Sequence, residues 1–457
     1  MDGLRQLACL VSDPPPTSAA ELELAGMALV DFAGVALAGT TEPVAGIIAG
    51  FCSAGGQGPA EVIGMAMRAG PCDAAFANGT IGHALDYDDS NMVLGGHPTV
   101  PILPALLAIG QQTRASGHAI LEAYAVGFEV MLRLARAVNF EHYERGWHPT
   151  ATLGVFGAAA GVARLLCLTE KQAGHALGLA ASMASGVKAN FGAMAKPIQV
   201  GYAASKGAMS ALLARSGATA SADALEGERG FLSVYNGKGA YRAEALAGSG
   251  KPEILVSGIK FKRYPCCGST HVVIDAVKRL RAEHAVEAER IEAVEVLINP
   301  RRRPHVDRPV VAAPLEGKFS VQYTAAAALA DGDVGLGHFS EATIARPDLQ
   351  MLLKKVRVGG LAEGAAELGQ PCRLTVTLAE GEKYSVFLGG PAGRDASEYR
   401  QAMRGKFVDC ATLVTDPATA ESLLQELLRF SELDDINPLM GRLSLRHGRQ
   451  FRHAQGA

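Results

Sequence analysis

Helix after helix in the first half of this chain is lined with residues too small to fill space by themselves, and that trait narrows the possible folds more than any other. The stretches GVFGAAAGVARLLCL (154–168), HALGLAASMASGV (175–187) and GYAASKGAMSALLARSG (201–217) are rich in Gly, Ala and Ser. Side chains of this size let helix axes approach closely, so the expectation is a compact helical bundle or array. No repeat of fixed period accompanies them, which argues against a solenoid. The first long helix is announced by Ser18 and Glu21, whose spacing is that of a capping box. It then runs through Leu22, Leu24, Leu29, Val30, Phe32, Val35 and Leu37. That apolar arc is too wide for a surface helix, so it belongs in the core.

The texture changes after about Lys260. Residues 292–298 and 372–378 alternate like strands, and the second meets 383–388 across a glycine-bearing turn, a hairpin pattern. Helical patterns lie between them at 271–286 and about 320–331, and helices return at 396–415 and 417–430. A chain of 457 residues exceeds what one hydrophobic core usually serves. The expected architecture is mostly α: a large helical domain made of 1–260 and 396–457, and a smaller α+β lid domain over 261–395.

Charge and cysteine usage remove several function classes. With 43 basic and 46 acidic residues the net charge is −3, so no basic field exists to attract a nucleic-acid backbone. An anionic substrate would have to be met by a few buried cations. The 8 cysteines are scattered, and the adjacent pair Cys266 and Cys267 has no zinc or redox spacing, which reads as reduced thiols. The N-terminus lacks a signal-peptide pattern, and no uncharged apolar run approaches the roughly 18 residues needed to cross a bilayer. A cytoplasmic protein without a membrane partner is expected.

Chemistry concentrates in a few segments. The richest is HALDYDDS (83–90), closing with GGHP (95–98). Three carboxylates and two imidazoles are costly to pack so close, and like charges there raise one another's pKa, which is how an acid or base is poised near neutrality. Asp86 and His97 read as functional, whereas Asp88 and Asp89 read as solvated or capping. His83, Asp86, Asp88 and His97 are also possible metal ligands, but no compact metal motif is present. His148 precedes Pro149, a good first helical residue, which sets the imidazole at a helix N-terminus, disfavouring its protonation. Lys196, in MAKP (194–197), is costly among small residues unless it meets an anion, so it is a candidate carboxylate clamp. Lys262 sits at the expected domain junction, where pockets form. Tyr323 is a possible proton donor or an interface residue. Ser90 is not in a nucleophile elbow. The glycines of 154–161 follow no strand, so they are helix packing rather than a dinucleotide fingerprint.

Taken in order, HALDYDDS…HPTVPILPALLA (83–108), GWHPTATLGVFGAAAGVARLL (146–166), MAKPIQVGYAASKGA (194–208), KRYPCCGSTH (262–271) and KFSVQY (318–323) resemble the MmgE/PrpD family. That family includes 2-methylcitrate dehydratase, cis-aconitate decarboxylase and iminodisuccinate epimerase. The resemblance implies a helical domain with an α+β lid, a homodimer, and no metal or cofactor. It implies a site of Asp86, His97, His148, Lys196 and Lys262, with Tyr323 and Ser90 as further substrate-binding residues. Two departures stand out: the loop from Asp86 to His97 is about one residue longer than in decarboxylase-like members, and Cys267 falls where those members carry histidine. The implied reaction is a dehydratase-type lyase step on a small di- or tricarboxylate, with epimerisation or decarboxylation as alternatives. In each, a carbanion or enolate forms beside a carboxylate, and lysines would stabilise it. His97, held by Asp86, is the expected acid/base, and His148 the second. A metal-dependent hydrolase built on the Asp/His cluster and a non-catalytic carboxylate-binding protein are the competing classes.

Overall fold

The computed structural model describes residues 3–362, 370–390 and 396–445. The chain divides into two compact units. The first comprises Met1–Ala189, Met194–Phe261 and Arg400–Ala457, and the second Asn190–Ala193 and Lys262–Tyr399.

The first unit is helical. Its first long helix is Ala19–Gly39, with Ser18 as N-cap: the Ser18 hydroxyl accepts the Glu21 N–H at 3.3 Å, and the Glu21 carboxylate accepts the Ser18 N–H at 2.8 Å. Both orphan donors of the capping box are thereby satisfied. This helix is long and apolar enough to cross a membrane by length and composition, a span the sequence reading did not find. However, 72% of its most apolar window is buried inside the fold. It also carries the buried Asp31, which pairs with Lys406 at 2.7 Å, so its apolar face is that of a core helix.

The small-residue stretches form the helices Gly154–Leu165, Glu170–Met183 and Ala195–Arg215. Pro71–Ala84 and Ala195–Arg215 approach each other closely. A Cβ on Gly201 would collide with the Phe76 carbonyl and the Thr80 hydroxyl, and one on Gly79 would stand 2.8 Å from the Gly201 Cα. Any larger residue would wedge the two helices apart. That crossing matters because one helix ends at Ala84, just before Asp86, and the other carries Lys196 in its first turn. A short antiparallel pair, β1 (Ala60–Val62) and β2 (Met67–Ala69), lies between helices. Three residues per strand give too little alternation to be seen in the sequence.

The second unit is α+β. Its sheet has the order β4-β3-β5-β6, with β3 at Ile291–Ile298, β4 at Val356–Gly360, β5 at Cys372–Leu378 and β6 at Lys383–Leu388. The β5–β6 hairpin is antiparallel, with Cys372 opposite Leu388, and β3 pairs antiparallel with β5. β4 joins β3 in parallel. It escaped the sequence reading because VRVGG is short and ends in two glycines. Val294, Val296, Leu374 and Val376 on one face of the sheet are buried with Val273, Val277 and Leu280 of the Gly268–Glu283 helix.

Candidate active site

The Pro71–Ala84 helix stops, and Asp86 adopts a left-handed backbone at φ 52°. Aspartate tolerates this region better than most residues because its short side chain can bond locally. The turn redirects the chain into the rest of the DYDD run, whose residues serve different partners. The Tyr87 carbonyl accepts from Lys406 Nζ at 2.7 Å, and the same ammonium lies 3.9 Å from the Tyr87 ring centre. Lys406, in the Ala396–Ala411 helix, therefore ties this run to Asp31 on the first long helix.

The following loop, 90–96, is fastened along its length. Ser90 exchanges both backbone hydrogen bonds with Lys260, each 2.8 Å. Asn91 donates to Ser257 Oγ at 3.0 Å and the Gly258 carbonyl at 2.7 Å, and Asn139 donates to the Val93 and Leu94 carbonyls.

Within this frame the acidic, basic and imidazole groups form a continuous buried string. Lys196 Nζ lies 2.5 Å from Asp86 Oδ1, which is 3.6 Å from His97 Nε2. The other ring nitrogen of His97 lies 3.1 Å from Asp88 Oδ2, which is also 2.8 Å from His83 Nδ1. The His83 ring stands 4.6 Å from that of His97 and 6.0 Å from that of His148. His97 is the most accessible member, at 9% exposure, against 3% for Lys196 and 1% for His148.

Protonation follows from these surroundings. Burial drives the His83 imidazole down to about 3, outweighing the pull of Asp88, so the ring is neutral. Burial opposes ionisation of Asp88, yet the His83 and His97 rings around it hold its carboxyl well below the usual range. Burial, reinforced by Lys196, also holds His148 well below its ordinary value. Its Nδ1 meets Gln199 Oε1 at 3.0 Å, and Gln199 uses its amide nitrogen on the Val187 carbonyl. The Gln199 oxygen is thus an acceptor, so His148 Nδ1 carries the proton and Nε2 holds the lone pair.

Several expectations change. Asp88 and Asp89 are not solvated; each is 1% exposed. His97 is held more closely by Asp88 than by Asp86, whose nearer partner is Lys196. His148 does precede a helix, but that helix, Pro149–Thr152, is a single turn, too short for a substantial dipole; burial does the work instead. Asp86, His97, His148 and Lys196 come together in the first unit, with Ser90 half-buried at the start of the fastened loop. Lys262 and Tyr323 belong to the second unit, both buried. The Tyr323 hydroxyl donates to the His338 carbonyl. Cys267 caps the Gly268–Glu283 helix in that unit.

Sequence reasoning missed Gln199 and undervalued His83 and Asp88. The signal for Gln199 was its spacing: three residues after Lys196, on the same helix face. His83, Asp88 and His97 have ligand atoms within 4.8 Å of one another, a donor set of two imidazoles and a carboxylate able to hold a divalent ion.

Comparison with known proteins adds an independent line. A family model described as MmgE/PrpD N-terminal domain matches residues 5–244, and one described as MmgE/PrpD C-terminal domain matches 264–429. The chain is 29% identical over 385 residues to cis-aconitate decarboxylase of Homo sapiens, covering 82% of this chain and 79% of the relative. It is 29% identical to the Mus musculus protein of that name, with 81% and 78% covered. To that of Aspergillus terreus it is 28% identical, with 84% and 83% covered.

Proposed function

Because the chain belongs to the MmgE/PrpD family, we propose that its buried Lys196–Asp86–His97–Asp88 string serves a lyase that decarboxylates a small tricarboxylate of the cis-aconitate kind. The enzyme class is lyase. Decarboxylation comes ahead of dehydration because each relative described above carries the decarboxylase name.

The string fits the chemistry. As the bond between carbon and the departing CO2 breaks, its electron pair stays on the carbon skeleton and spreads toward a remaining carboxylate. The chain must then neutralise that charge and deliver one proton to carbon. The Lys196 ammonium, fixed by Asp86, is a preorganised cation for the developing anion, where such groups contribute most to rate. His97 lies between two carboxylates that compensate its charge when it is protonated, so it is the acid that quenches the carbanion. His148, neutral with Nε2 as its lone-pair nitrogen, orients substrate or accepts a proton. The observation that carries this reading is the burial of one ammonium, two carboxylates and three imidazoles in a single connected set.

The resemblance supports substrate-binding roles for Ser90 and Lys262, and Lys262→Ala is expected to raise KM more than it lowers kcat. Tyr323→Phe tests the third such role. The homodimer it implies is checked by light scattering of the purified chain.

The deciding experiment is incubation with cis-aconitate in deuterated water, followed by proton NMR and CO2 detection. Release of CO2 with one solvent deuterium in the product is expected, and activity should persist after dialysis against a chelator. Absence of both CO2 and deuterium uptake, with 2-methylcitrate equally inert, would sink the proposal. Hydrolysis lost on chelation would favour the metal-dependent class instead.

A further inference from the structure

A second buried polar cluster adjoins the imidazoles and has no part in the chemistry above. Asp89 Oδ2 accepts the Thr99 hydroxyl, and Oδ1 accepts the Thr99 N–H at 3.4 Å. Thr99 opens the Thr99–Thr113 helix, and its hydroxyl also lies 2.6 Å from the Tyr124 hydroxyl. Tyr124 is fully buried and Thr99 nearly so. Two residues before Thr99 comes His97, whose own N–H donates to Thr150 Oγ1 at 3.0 Å. The tripeptide His97–Pro98–Thr99 is therefore pinned at one end by Thr150 and at the other by Asp89.

We propose that Asp89 is a positioning residue: its grip on Thr99, backed by Tyr124, sets where the His97 imidazole stands between Asp86 and Asp88. The proposal rests on His97 being the proton-transfer group. The charged groups facing Asp89 are Asp31 from the first long helix and Asp88 from its own segment, with Lys406 engaged by Asp31. Burial, joined by these two carboxylates, pushes the Asp89 carboxyl well above the usual range, while the Thr99 hydrogen bonds pull the other way. Asp89 accepts from both the Thr99 hydroxyl and its N–H, and asparagine keeps an amide oxygen able to accept from Thr99.

The test compares Asp89→Ala, Asp89→Asn and Thr99→Val by two readouts. The first, needing no substrate, is the downfield proton resonance of His97 Nδ1 facing Asp88. The second is kcat and KM with cis-aconitate. Asp89→Ala and Thr99→Val are expected to displace or broaden the resonance and lower kcat by about 10²-fold, the cost of misplacing a reacting group by an ångström. KM should stay within about twofold, since substrate binding is not what is lost. Asp89→Asn should restore both readouts. Folded Ala and Val variants with wild-type resonance and kcat would overturn the proposal, as would an Asn variant as damaged as Ala. If wild-type protein turns over no cis-aconitate, the functional reading falls, and the resonance alone decides the positioning role.

Discussion

Lys196 carries the heaviest expectation at the scale of single residues. Lys196→Ala removes the buried cation beside the developing anion, and a loss of about 10²–10³ in kcat is expected, with the far-UV circular dichroism unchanged. The two carboxylates are a sharper case. Read from sequence, Asp88→Asn should be milder than Asp86→Asn. The structure gives each carboxylate two partners, His83 and His97 for Asp88 and Lys196 and His97 for Asp86, so Asp88 has as much to lose. Steady-state kinetics should show Asp88→Asn losing at least as much kcat as Asp86→Asn; a nearly normal Asp88→Asn enzyme would remove Asp88 from the mechanism. Asparagine is the right probe at position 86 because it also tolerates the left-handed backbone there. Asp86, His97, His148 and Lys196 were legible because each is a costly residue type in an apolar context. Asp88 was not, since its burial is produced by packing around the DYDD run rather than by its sequence neighbours.

Between helices, backbone contact sets the registration of the site. Gly201 brings the Ala195–Arg215 helix against the Pro71–Ala84 helix, and the ion pair of Lys196 with Asp86 bridges their adjoining ends. Gly201→Ala has no room for its methyl group, so the helices must separate. Such overpacking is expected to cost ~1–3 kcal/mol of stability, read as a lowered urea midpoint, with kcat falling as the ion pair opens. Unchanged stability would mean that the crossing is looser than its geometry implies. The long helices and the β5–β6 hairpin were legible because capping boxes, small-residue runs and strict alternation are local signals. The three-residue β1–β2 pair and the parallel β4 strand were not, since their pairing partners are what make them strands.

For the protein as a whole, buried imidazoles tie stability to acidity. His83 is driven down to about 3 and His142 to about 4, in both cases chiefly by burial, and His148 lies well below its ordinary value. Each takes up a proton more readily when unfolded, near 6.5, than when folded. Their stabilisation is therefore complete above about pH 6.5 and is lost as pH falls toward 4. For His142 alone the loss is on the order of 3 kcal/mol. Asp89 opposes this, because its raised carboxyl favours the folded state as pH falls toward 3.8. With the imidazoles setting the trend, the thermal midpoint should decline from pH 7 to 4. A flat profile would show that the histidines are wetter than their burial indicates. The mostly α architecture with a smaller α+β part was readable from the change of texture near Lys260, whereas the grouping of Asn190–Ala193 with the second unit had no signal in composition.

The tether from Lys406 to the Tyr87 carbonyl and Asp31 has a consequence for how this enzyme is born. During synthesis the residues of the DYDD run leave the ribosome more than three hundred positions before the lysine that supports them. A nascent chain can therefore collapse its early helices before the Asp86–Lys196 cluster is fully supported, and a message truncated between Lys196 and that lysine should yield a protein with these groups encoded but their support missing.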